Sequence, residues 1–312
     1  MQPHPASPSH QHNHPATSRS FPVPSPPAQT RLIPDELSRW RTGASVQGLV
    51  TRNDAMHDST EPITRREALQ RTTFGTIAIA TGGCLPSTGP AGGSDGRLTT
   101  RGVEPTTTTA PGLYPLALGR SRDGFLYVPT SYKPDTAVPL ALLLHGAGQE
   151  ASELLTPMRP LADAEGLVLV AVDSRDRTWD AILGSFSADV QFIDRALALA
   201  FSRVRVDATR VRIVGFSDGA SYSLTLGIIN GDVFSRIVAF SPGFIVNGPV
   251  TGKPKIFIAH GTRDAVLPID QTSRTLVPRL KAAGYDVEYH EFDGGHGVRP
   301  DLLAQATTWV AS

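Results

Sequence analysis

The 312-residue chain is 40% hydrophobic and 19% charged, enough for one sizeable core with or without tails. Its 29 Lys and Arg cancel 29 Asp and Glu, so no charge excess points to nucleic acid or to a polyanionic partner. A single cysteine, Cys84, excludes an intrachain disulfide, and the lack of a long apolar run argues against a spanning helix in the mature protein.

Residues 1–60 are rich in Pro, His, Gln and Ser and carry no apolar periodicity, which predicts disorder or a mis-assigned N-terminal extension. Met56 is an alternative start. His10, His12 and His14 are metal-ligand types, but their surroundings read as a solvated low-complexity tail. Residues 61–84 differ. Arg65 and Arg66 precede a short apolar stretch, the arrangement of a twin-arginine export signal, although Ala68 stands where that pattern has Phe. Gly82 and Gly83 before Cys84 resemble a lipoprotein cleavage site, with Thr81 at the usual Leu position. A lipidated Cys84 would tether the protein to a membrane. The plainer alternative is a marginal helix over 66–80 beside an unpaired thiol. Residues 85–111, with four consecutive threonines at 106–109, predict a flexible linker.

From residue 112 strands and helices alternate. Two strands around 114–118 and 125–129 suggest a hairpin. Strands then fall at 140–145, 167–172, 211–216, 237–240, 255–259 and 287–292. Helices are predicted at 150–165, 189–204, 219–229, 270–283 and 299–310, the second with Val190, Ile193, Leu197 and Phe201 at helical spacing. Continuous Val/Ile/Leu strands between helices mean a mostly parallel sheet covered on both faces.

The chemistry-bearing motif is Gly-Phe-Ser-Asp-Gly at 215–219, between a strand and a helix. Glycines on both sides permit a sharp turn that lifts the Ser217 hydroxyl clear of the sheet, at the positive end of the next helix. A serine needs a base within hydrogen-bond reach. His296 follows Gly294-Gly295 after the last strand, and Asp264 ends His-Gly-Thr-Arg-Asp at 260–264. His145 and His260 each begin a His-Gly turn, where they would brace loops, and His290 lies within a strand. Asp293 competes with Asp264 for the acid's place.

Four segments together resemble the α/β-hydrolases, on the side of the carboxylesterases related to polyhydroxybutyrate depolymerases and feruloyl esterases. They are His-Gly-Ala-Gly-Gln at 145–149, Asp189-Val-Gln-Phe-Ile193, Gly-Phe-Ser-Asp-Gly at 215–219 and His-Gly-Thr-Arg-Asp at 260–264. The resemblance covers 112–312 and implies an α/β-hydrolase catalytic domain. It implies the chain order nucleophile Ser217, acid Asp264, base His296. It also implies an oxyanion hole from the N–H groups of Ala147 and Asp218, and no metal or organic cofactor. Only residues 241–254 separate two strands where this fold commonly inserts a lid, so an open site is expected. Trp179, in the loop with Arg175 and Asp180, either stacks on substrate or packs beneath the loop, and Phe244 is a second wall candidate. The implied activity is hydrolysis of carboxylic esters, polyester- or aryl-ester-type substrates included. A peptidase, lactone hydrolase or acyltransferase on the same nucleophile, or a non-catalytic surface binding protein, are the alternatives.

Overall fold

The computed structural model describes residues 95–312 apart from Arg120. The extension expected over 1–60, the predicted export segment with Cys84 and the linker residues up to 94 lie outside the described residues.

Eight strands form one sheet in the order β1-β2-β4-β3-β5-β6-β7-β8. β1 (Gly112–Pro115) and β2 (Gly124–Val128) pair antiparallel, and β2 pairs antiparallel with β4 (Val168–Val172). From there β3 (Val138–Leu144), β5 (Val206–Phe216), β6 (Arg236–Phe240), β7 (Lys255–Gly261) and β8 (Val287–Phe292) run parallel. The helices are α1 (Ala151–Glu165), α2 (Ala188–Arg203), α3 (Asp218–Ile229), α4 (Ser273–Ala282) and α5 (Pro300–Ala311). Among the described residues none of these helices is long and apolar enough to cross a membrane.

Alternation along the strands builds two cores from one sheet. Leu140, Leu142, Leu144, Ile213, Ile237 and Ile256 face α2, α3 and α4. Their neighbours Ala141, Leu143, Val214, Val238 and Phe257 face α1 and α5. Both faces of the central strands are therefore dry, which explains why β3 to β7 carry apolar runs, whereas the edge strands β1 and β8 are partly exposed.

Three features depart from expectation. β5 starts at Val206, five residues earlier than its apolar run, because Val206 pairs with Val138 before a register shift. The segment predicted as one helix over 270–283 begins as a 3-10 turn, Ile269–Gln271, and only then becomes α4.

The third correction concerns the flexible linker. Its described part, from residue 95, is a strap laid over α2 and α3. Arg97 donates to both carboxylate oxygens of Asp232 and to the Ile229 carbonyl at 2.6 Å. The Asn230 side chain accepts from Leu98 N–H and donates to the Gly96 carbonyl, and Leu98 is buried. Asp194 accepts from the Thr99 and Thr100 N–H groups, and the Ser202 carbonyl takes those of Thr106 and Thr107. Composition alone signalled flexibility because every partner lies far along the chain. The folded domain thus includes residues well before 112.

Below the sheet, Arg210, Arg212 and Arg236 donate to the last carbonyls of α5, at Ala311, Val310 and Trp309. Cations at a helix C-terminus complement its dipole. Burial, with the other two guanidiniums nearby, lowers the Arg212 pKa to about 10.

Candidate active site

The site grows from the turn between β5 and α3. Ser217 has φ 56° and ψ −119°, a backbone region costing a non-glycine residue about 1–3 kcal/mol. Its N–H donates to the Phe240 carbonyl at 2.9 Å, fixing the turn against β6. The flanking glycines are required by contact. A Cβ on Gly219 would lie 2.1 Å from the Leu144 carbonyl oxygen, and one on Gly215 would lie 2.1 Å from that of Gly219.

Ser217, Asp264 and His296 come together at this turn. The Ser217 Oγ lies 2.8 Å from His296 Nε2, and His296 Nδ1 lies 2.7 Å from Asp264 Oδ2. A carboxylate at Nδ1 places the proton there, so Nε2 is left to accept from the serine hydroxyl. The Asp264 side chain is fully buried. Burial alone would raise its pKa. Hydrogen bonds from Leu267 N–H, His296 and Val266 N–H outweigh that and hold it below the ordinary carboxylate value. Asp293, the rival acid, instead pairs with Arg263 at the surface.

His260 braces its loop, as expected, and does more. Its Nε2 faces the Leu267 carbonyl at 2.9 Å and Asp264 Oδ2 at 3.1 Å, while Nδ1 faces Ser273 Oγ at 2.7 Å. Two acceptors at Nε2 put the proton there, so Nδ1 accepts from the serine. Burial lowers its pKa and keeps the ring neutral. His260 therefore donates to the same carboxylate oxygen that holds His296. The i,i+4 spacing to Asp264 was visible in the sequence, but nothing there showed that both residues turn inward.

The loop after β3 lies against Ser217: a Cβ on Gly146 would sit 3.3 Å from that of the serine. Its other N–H groups are engaged, Gly146 with Gln149 Oε1, Gln149 with the Gly146 carbonyl and Gly148 with the Arg177 carbonyl. The N–H groups of Ala147 and Asp218 donate to no group among the described residues. His145 supports this loop from below, with Nδ1 on the Gly146 carbonyl and Nε2 accepting from Ser174 N–H. Arg122, which carried no sequence signal, donates to the Gln149 and Ser174 carbonyls.

Trp179 packs beneath the loop: it is fully buried, stacks on Tyr222 and donates from Nε1 to the His145 carbonyl. Asp180 accepts from Tyr222 and from the N–H groups of Ser187 and Asp189. Arg175 lies over the Phe192 ring and donates to the Asp173 carbonyl. These residues support the site from behind. Phe244 is half-buried in the 241–254 segment, which contains no helix or strand. A groove of about 530 Å³ opens beside His296, between α1 and α5.

Residues 170–312 match the phospholipase/carboxylesterase family model. The chain is 32% identical over 164 residues to a bifunctional acetylxylan esterase/xylanase of Neocallimastix patriciarum, matching 49% of this chain and 23% of that protein. It is 28% identical over 186 residues to NocK of Nocardia uniformis subsp. tsuyamanensis, matching 55% and 53%. The chain thus spans about a quarter of the first curated relative and about half of the second. Among solved structures, esterase PE8 is 26% identical with a TM-score of 0.50, covering 60% of this chain and 96% of that one. The Staphylococcus aureus serine hydrolase FphF, 14% identical, shares the fold with a TM-score of 0.52, covering 65% and 100%.

Asp189 yields a pH prediction. It accepts from the N–H groups of Arg175 and Asp180, but burial, with Asp180 nearby, raises its pKa to about 6. The folded protein then binds more protons than the unfolded chain between the ordinary aspartate value of about 3.9 and 6. Stability from this residue is highest below that window and falls as pH rises through about 6. Denaturant unfolding at pH 5 and pH 7 should show a slope of this sign, flattened in Asp189→Asn. An equal slope in both proteins would contradict the assignment.

Proposed function

From a chain with the α/β-hydrolase fold and a phospholipase/carboxylesterase match across 170–312, we propose a serine carboxylesterase that works through an acyl-enzyme on Ser217. The observation that carries this reading is the continuous hydrogen-bonded chain Ser217 Oγ, His296, Asp264. In acylation, Oγ attacks the ester carbonyl while His296 Nε2 takes its proton. Negative charge then develops on the carbonyl oxygen, and the unengaged N–H groups of Ala147 and Asp218 are its donors. One such donor is worth about 10²–10³ in rate. The tetrahedral species collapses as His296 returns the proton to the departing alcohol. A water molecule, deprotonated by His296, then attacks the acyl carbon, and Ser217 leaves with the proton. Asp264 keeps Nδ1 protonated and stabilises the imidazolium throughout. The acetylxylan esterase relative supports ester chemistry, polymer-borne esters among the candidates.

We further propose that the segment around Arg65 and Arg66 exports the protein and that Cys84 receives a lipid, leaving the domain tethered outside the cytoplasmic membrane. The sequence pattern supports this reading. Replacing both arginines by lysine should retain the protein in the cytoplasm. Export undiminished by that change would refute the signal.

Ser217→Ala should lower turnover of an activated ester by about 10⁴–10⁶ with an unchanged unfolding midpoint. Near-normal turnover in that variant would end the acyl-enzyme reading. His260 is a positioning residue acting through Asp264. His260→Ala should cut kcat about tenfold, equivalent to one charge-assisted hydrogen bond of about 1.5 kcal/mol, with KM little changed. The acidic limb of its pH–rate profile should move to higher pH, because a carboxylate with one donor fewer pulls harder on the imidazolium proton. A lower rate with an unmoved limb would reduce His260 to a loop brace.

A further inference from the structure

The groove between α1 and α5 is not used by the steps above. Its volume of about 530 Å³ falls in the usual range for a small-molecule site. Leu154 and Leu161 of α1 form one wall, and Val298 and Leu303 form the other. Pro157 and Pro160, both within α1, add surface and offer no N–H. Four polar side chains line the groove, His145, Gln149, Glu153 and His296, and of these the exposed Glu153 carboxylate and the Gln149 side-chain NH2 make no hydrogen bond among the described residues. Both His145 nitrogens and the Gln149 Oε1 are engaged with the protein's own backbone. His296 stands at the inner end, its ring 5.0 Å from Phe216 at the groove floor.

Stereochemistry says which half of an ester belongs there. His296 Nε2 takes the Ser217 proton and then delivers it to the leaving oxygen, so that oxygen departs on the imidazole side of the tetrahedral carbon. The carbonyl oxygen turns the other way, toward the N–H groups of Ala147 and Asp218. The groove starts at His296 and continues along Gly297 and Val298. We infer that the α1–α5 groove is the subsite for the alcohol half of the ester, and that it selects bulky apolar alcohols, aryl or branched alkyl. A polyhydroxylated alcohol finds partners only at Glu153 and Gln149, and each further hydroxyl set against the leucine, valine and proline walls loses its hydration without a partner. This inference rests on the acyl-enzyme reading of the site.

The test fills the groove and reads each half of the ester separately. Leu161→Trp narrows it from the half-buried side of α1, and Pro157→Trp does so from an exposed position where the fold tolerates bulk. In both variants the kcat/KM ratio of naphthyl acetate to methyl acetate should fall about tenfold, the scale of discrimination by a hydrophobic pocket. The preference among methyl esters of increasing acyl length should stay as in the wild type. A binding measurement keeps the groove separable from the activity. Naphthol should bind the full-length Ser217→Ala protein by fluorescence titration, and about tenfold more weakly once Leu161→Trp is added. A selectivity change that follows acyl length, or naphthol binding indifferent to the added tryptophan, would overturn the assignment. If no ester shows Ser217-dependent turnover, the acyl-enzyme reading fails, and the naphthol titration alone decides the groove.

Discussion

The structure depends on a strained backbone at Ser217, held where β5 becomes α3. That conformation, with φ 56°, is unfavourable for a serine and persists because its surroundings leave no alternative. The Gly219 backbone is pressed against the carbonyl of Leu144, and Ser217 N–H is tied to Phe240. Strands β3, β5 and β6 therefore meet at one residue. α3 can approach so closely because every residue from Gly219 to Ile229 is buried. Of the buried hydroxyls on this enclosed helix, Ser223 Oγ has no partner, whereas two others are paired with the neighbouring segment. Ser221 accepts from Gly243 N–H, and Thr225 accepts from Val246 N–H while donating to the Ser221 carbonyl. These two side chains staple the 241–254 segment onto α3, so it lies as a flat strap instead of rising as a cap.

Two buried aspartates show how local donors decide charge. Asp264 receives two backbone N–H bonds at Oδ1 and imidazoles at Oδ2, and its pKa is held down despite burial. Asp189 also receives two N–H bonds, yet burial with Asp180 nearby pushes its pKa up to about 6. The difference suits their positions. A carboxylate held by two imidazoles as well as two backbone N–H groups keeps its charge, whereas one that only organises the loop over 174–189 can be neutral.

Much of this was legible in the sequence, for a physical reason. Parallel strands buried on both faces leave dense apolar runs, and the turn at Ser217 demands glycine at 215 and 219. Both constraints write themselves into a few adjacent residues. What escaped reading depends on distant pairs. Thr99 and Thr100 look like linker residues until Asp194 on α2 is seen to take their N–H groups. His260 has the spacing of a loop brace, and its bond to Asp264 appears only when both side chains are placed. Trp179 could serve substrate or scaffold in sequence terms; burial beneath the His145 carbonyl settles it as scaffold.

The fold also separates its two tasks along the strand axis. Strain and buried charge collect at the C-terminal ends of the strands, around Ser217 and Asp264. Compensating interactions collect at the opposite end, where three arginines close the end of α5 and Arg97 clamps the strap to Asp232. The twelve residues of α3 set the distance between these ends, about 18 Å at 1.5 Å per residue. Asn230, just past that helix, grips the strap at Gly96 and Leu98. The chain upstream of residue 95 therefore joins the domain on the side away from Ser217.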